Sequence, residues 1–89
     1  MGLLGKIETE KLRETVVKGH GKYFEIVITQ LKESYKGVSV YKVFSELKYD
    51  GEHLDIIEYN STYDRKESEG YFYMLERKYP EERRTRKVF

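Results

Sequence analysis

The chain has 89 residues, of which 15% are aromatic and 37% charged, with a formal net charge of +1 and no cysteine. That length allows one domain and excludes an enzyme built around an inter-domain cleft, while the missing thiols exclude a disulfide framework, a thiolate metal site and a cysteine nucleophile. A hydrophobic share of 38% argues against wholesale disorder, although the core must be small. No apolar run approaches the roughly 20 residues of a membrane helix. The start Met-Gly-Leu-Leu-Gly-Lys is too short in its apolar part for a signal peptide, and Lys6 stands where N-myristoylation wants Ser or Thr. The expectation is a cytoplasmic protein with no membrane association. Abundant Lys and Glu beside scarce Asn, Gln and Pro resemble thermophile composition.

In chain order, the first stretch is ambiguous. Glu8 to Glu14 is rich in helix formers, Thr9 is a candidate N-cap, Gly19 fits a C′ position, and Glu10 and Arg13 pair at i,i+3. Leu4, Ile7, Leu12 and Val16 make only a ragged stripe, and Thr15-Val16-Val17 prefers a strand. The reading favoured is a short helix within residues 3–18, with a fifth strand as the rival. Runs rich in Tyr, Phe, Val and Ile then predict strands at about 22–33, 38–49, 53–60 and 70–79. Asp50-Gly51 is the strongest hairpin signal, because a type I′ turn needs two residues at positive φ. Short links favour antiparallel neighbours, and the polar segment 61–69 reads as a loop. The expected fold is therefore α+β and mainly β: a four-stranded antiparallel meander over about 22–79 with one N-terminal helix. The alternative is an all-β five-stranded small barrel. Residues 1–79 would form the domain, and 80–89 a basic C-terminal arm.

Both faces of the predicted strands carry apolar groups. Phe24, Ile26 and Ile28 oppose Tyr23, Val27 and Leu31; Tyr41, Val43, Leu47 and Tyr49 oppose Val38, Val40 and Phe44; Leu54 and Ile56 oppose Ile57 and Tyr59. A sheet wet on one side alternates cleanly instead. One helix, about 10 Å wide, covers one face at most, so the other calls for barrel closure, a second subunit or a ligand.

Catalytic motifs are weak. His53 and Asp55 sit two apart, which on a regular strand places them on one face with Glu52 adjacent, but two candidate ligands do not make a metal site. His20 lies between Gly19 and Gly21 without the remaining spacing of a phosphate-binding loop. No serine has a Gly-x-Ser-x-Gly setting. Neither a cofactor nor an enzymatic activity is expected.

Charge is unevenly placed. Residues 51–76 carry seven acids against two bases, and residues 77–89 carry six bases against two acids. On a predicted strand Tyr71, Tyr73, Arg77 and Tyr79 recur on one face, followed by Arg83, Arg84, Arg86 and Lys87. Rings on a sheet stack unpaired bases and arginines hold phosphates. These eight residues are the predicted contact surface of a non-enzymatic, homo-oligomeric binding protein, with single-stranded nucleic acid as a candidate partner. The alternative is a protein–protein module in which acidic and basic stretches of different subunits meet.

Overall fold

The computed structural model describes residues 6–19, 21 and 23–89. It contains strands β1 (Glu8–Val17), β2 (Phe24–Tyr35), β3 (Val38–Tyr49) and β4 (Glu52–Thr62), helix α1 (Arg65–Glu76), a 3-10 turn (Glu81–Arg83) and strand β5 (Arg84–Val88). The strands form one antiparallel sheet in the order β4-β3-β2-β1-β5. The fold is α+β and mainly β, as expected, but with five strands and the helix in another place.

Turn chemistry sets the meander. Asp50 and Gly51 both have positive φ, +50° and +85°, and join β3 to β4; Lys36 and Gly37, at +49° and +82°, join β2 to β3. Two successive left-handed residues match the twist of the flanking strands, which accounts for both tight hairpins.

Three expectations are corrected. The N-terminal stretch is a strand, not a helix: Thr9 to Val17 pair with β2, and Leu12 is an extra residue in a bulge between Lys11 and Arg13. The bulge breaks the period-two pattern, so β1 looked ragged. Residues 70–79 are not a strand, because 65–76 form α1. Asp64 caps it by accepting a hydrogen bond from the Lys66 amide at 2.9 Å, Glu67 lies in the first turn, and Ser68, Phe72, Leu75 and Glu76 are buried at helical spacing. Residues 84–88 form an edge strand paired with β1, so the stretch expected as a basic arm belongs to the sheet. The barrel alternative also fails, since β4 and β5 are separate edges of an open sheet. His20 and Leu4, weighed above, lie outside the described residues.

The chain reaches β5 from the far edge, β4, by running across the sheet. Helix α1 packs over β2, β3 and β4. Its Phe72 and Leu75 meet Val17, Ile26, Ile28 and Val43 in the core, with Leu47, Tyr71, Tyr73 and Tyr79 packed around it. One face of the sheet is thereby covered. Among the described residues, no helix packs over the other.

Candidate functional site

The face beneath α1 is polar toward β1 and β5. Glu76, on the last turn of α1, is 2% exposed and binds three partners. The Thr15 hydroxyl donates to it at 2.5 Å, and Arg86 engages both carboxylate oxygens, with Nε at 3.0 Å. Arg84 approaches the same carboxylate at 3.8 Å. Burial alone pushes the Glu76 carboxyl up, but the Arg86 and Thr15 hydrogen bonds and the two guanidinium charges outweigh it and hold the group below the usual carboxylate range. The Glu76 hydrogen bond raises Arg86 in turn. Two guanidinium groups meet the Tyr73 ring, Arg86 at 5.0 Å and Arg13 at 5.5 Å from its centre. Arg13 also reaches Gln30 at 3.3 Å and Glu69 at 3.5 Å, and Gln30 donates to the buried Ser68 hydroxyl at 2.8 Å.

Of the predicted contact residues, the structure brings Tyr73, Arg84 and Arg86 together, but around Glu76 and inside the helix–sheet interface. Tyr71 packs beside the core and donates its hydroxyl to Glu67 at 3.0 Å; Tyr79 also flanks the core, and burial raises its hydroxyl above the ordinary value. Arg77 caps α1 and is exposed. The Arg83 side chain lies against Gly19, where a Cβ would meet its Cδ at 3.2 Å. Lys87 is on the opposite face of the sheet, 5.1 Å from the Phe89 ring centre. The eight residues therefore do not form one surface. The expected spacing of Tyr71, Tyr73, Arg77 and Tyr79 was that of a strand, whereas Tyr71 and Tyr73 lie on α1, where residues two apart point in different directions, and Tyr79 lies beyond its end.

The pairing of His53 with Asp55 fails too. The register is displaced between Leu47 and Lys48, leaving Leu54 unpaired, so His53 pairs with Lys48 and Asp55 with Leu47 on opposite faces. His53 Nδ1 instead meets Glu46 at 2.8 Å. A second bulge, at Ile57, places Ile56 and Tyr59 on the same face, where regular alternation had set them apart. Among the described residues, no group of three His, Asp or Glu side chains is placed to hold a metal ion.

The helix-free face is defined by the register. One row runs Thr85, Val16, Val27, Glu46, Ile56; the next runs Lys87, Glu14, Thr29, Phe44, Tyr59; the third brings Lys11, Leu31, Lys42 and Ser61 together. Val27 and Thr29 are buried among longer neighbours, Val16, Leu31 and Phe44 are half-buried, and Ile56 and Tyr59 are exposed. Phe44 and Tyr59 stack, with ring centres 6.4 Å apart and planes at 21°. Toward the β2–β3 turn the face continues into a shallow apolar depression of about 470 Å3 lined by Ile7, Tyr35, Val38 and Val40 with Glu33. The charges on this face neutralise one another: Lys11 pairs with Glu14 at 2.9 Å, Lys42 with Glu33 at 2.5 Å, and Lys48 approaches Glu46 at 3.9 Å. The hydrogen bond that Lys42 donates to Glu33, with the Tyr59 hydroxyl nearby, raises the Lys42 ammonium above its ordinary value.

The chain matches no protein-family model, no curated protein and no solved structure. Assignment therefore rests on geometry. Phe44 and Tyr59 belong to the two-sided apolar pattern of the sequence, but the coincidence of Tyr59 with Ile56 depended on a bulge that the pattern does not show. Among the described residues, no helix is long and apolar enough to cross a membrane.

Proposed function

We propose that this chain is a non-enzymatic binding module whose contact surface is the helix-free face of its sheet and whose partner is a protein surface. One observation carries the reading: among the described residues, no helix packs over the sheet face that carries Val16, Val27, Leu31, Phe44, Ile56 and Tyr59. Contiguous apolar patches of this kind mark interaction sites, and aromatic residues dominate their energetics. Charge separates a protein partner from nucleic acid. Phosphate recognition requires a surplus of Lys and Arg, whereas the lysines here are matched on the face by Glu14, Glu25, Glu33 and Glu46. Arg84 and Arg86, the phosphate ligands expected from sequence, are engaged by Glu76.

Two measurements test this reading. At submicromolar protein, the apolar dye bis-ANS should bind the wild type and bind Phe44→Glu more weakly. A labelled single-stranded oligonucleotide at low salt should show no rise in anisotropy. Salt-dependent oligonucleotide binding that persists in Phe44→Glu would overturn the assignment and return function to the basic residues.

A further inference from the structure

We infer that the open edge of β5 is a second binding site, one that takes an extended acidic segment of another protein as a further strand of the sheet. The inference goes beyond the helix-free face and does not depend on it.

The backbone supplies the docking groups. β5 ends the strand order β4-β3-β2-β1-β5 and pairs with β1. The Lys18 amide donates to the Arg83 carbonyl at 2.9 Å, and the Phe89 amide donates to the Leu12 carbonyl at 3.0 Å. Both bonds fit the register that sets Val17 against Arg84 and Arg13 against Val88. Residues 83, 85, 87 and 89 therefore turn their N–H and C=O groups toward β1, while Arg84, Arg86 and Val88 turn theirs away from the sheet. The Glu81 carbonyl takes the Arg84 amide. Among the described residues, no strand lies beside the Arg84 carbonyl or the N–H and C=O of Arg86 and Val88. The β1–β5 register has no irregularity, and Thr85 to Val88 are exposed. A regular, uncovered edge of this kind is a template for strand addition.

Charge selects the occupant. Residues 81–88 carry four bases and two acids, and Glu76, which engages Arg84 and Arg86, still leaves a positive surplus. Among the described residues, Lys87 lies over the Phe89 ring and makes no ion pair. Its register partner Glu14 is held by Lys11. An added strand places one residue beside Arg86 on the helix side and the next beside Lys87 on the other side. Two consecutive acids thus meet both cations. The Arg86 side chain is 44% exposed, so a second carboxylate can reach it.

A second copy of the chain does not fit this edge. The outward groups allow antiparallel registers of β5 on its own copy, but each one that pairs three or more of its residues opposes like charges. The clashes are Arg86 on Arg86, Arg84 on Arg86, or Lys87 on Lys87. The acidic edge, β4, is interrupted at Leu54 and Ile57. Its regular stretch, 58–62, holds one acid, Glu58, which Lys78 already engages.

Fluorescence anisotropy of a labelled Thr-Val-Asp-Glu-Val-Thr peptide, titrated with the full chain, tests the inference. The signal should saturate at submillimolar protein, and a counterpart peptide with Lys-Lys in place of Asp-Glu should give no rise. Val88→Pro removes an outward N–H and leaves the β1 ladder intact, so it should weaken binding at least about tenfold. Lys87→Glu should weaken it at least about fivefold. Circular dichroism melts establish that each variant is folded. No saturable binding of the acidic peptide at millimolar protein overturns the inference. So does equal binding of the two peptides, or acidic-peptide binding unaffected by Val88→Pro. Phe44→Glu separates this site from the helix-free face, because it should lower dye binding and leave peptide binding unchanged. Loss of peptide binding in Phe44→Glu overturns the edge site. Unchanged dye binding in that variant, with peptide binding intact, overturns the helix-free face and upholds the edge.

Discussion

Replacing Glu76 by Gln keeps the shape of the side chain and removes one charge from the interface between α1, β1 and β5. In the wild type that carboxylate holds the Thr15 hydroxyl and both ends of Arg86, with Arg84 at 3.8 Å. A hydrogen bond to a charged group contributes about 1.5–3 kcal/mol, and breaking a buried ion pair from one side costs about 3–5 kcal/mol. The Arg86 side chain is 44% exposed and partly rehydrates, so the lower range applies. We expect Glu76→Gln to lose about 2 kcal/mol at pH 7. For a domain of this size each kcal/mol moves Tm by about 4–8 °C, so Tm falls by about 8–16 °C. Urea denaturation followed by circular dichroism, at pH 7 and at pH 3, measures the change. The folded carboxyl titrates below its usual 4.5, so its stabilisation is complete above that value and is lost as pH falls through the lower folded pKa. Gln does not titrate. The gap between wild type and variant should therefore be widest near neutrality and narrow below pH 4.5. A variant within about 0.5 kcal/mol of wild type at pH 7, or a gap that widens in acid, would refute the account.

The other predictions concern the core and a turn. Phe72→Ala removes a ring that is fully buried between α1 and the sheet; it should lower the urea midpoint by the equivalent of about 3–5 kcal/mol with little change in m-value. Lys36 holds φ +49° in the β2–β3 turn, a conformation that Asn tolerates better, so Lys36→Asn should stabilise by about 0.5 kcal/mol and raise Tm by a few degrees.

Much of the sheet was legible because its signals are local. Asp50-Gly51 needs only two residues to specify its turn, and the strands it joins kept their predicted extent within a few residues. The parity of β2 and β3 was also readable: Phe24, Ile26 and Ile28 share a face with Val43 and Leu47, as alternation requires. Helix α1 carried a signal too, Asp64 followed three residues later by Glu67, an N-terminal capping pattern. The alternation of Tyr71, Tyr73 and Leu75 matched a strand equally well, and over so few residues periods of two and 3.6 are hard to separate.

The two-sided apolar patterning, the hairpin turns and the mainly β composition follow from the sequence alone, because each depends on residues close together in the chain. The assignment of β1, the faces of β4 and the fate of the arginines were decided by tertiary structure. A bulge inverts the direction of every side chain beyond it, and nothing at Leu12, Leu54 or Ile57 marks them as extra residues before their partner strands are known. Arg84 and Arg86 resembled a free basic tail until Glu76, ten residues before Arg86, was brought beneath them by a helix that packs over β4, β3 and β2.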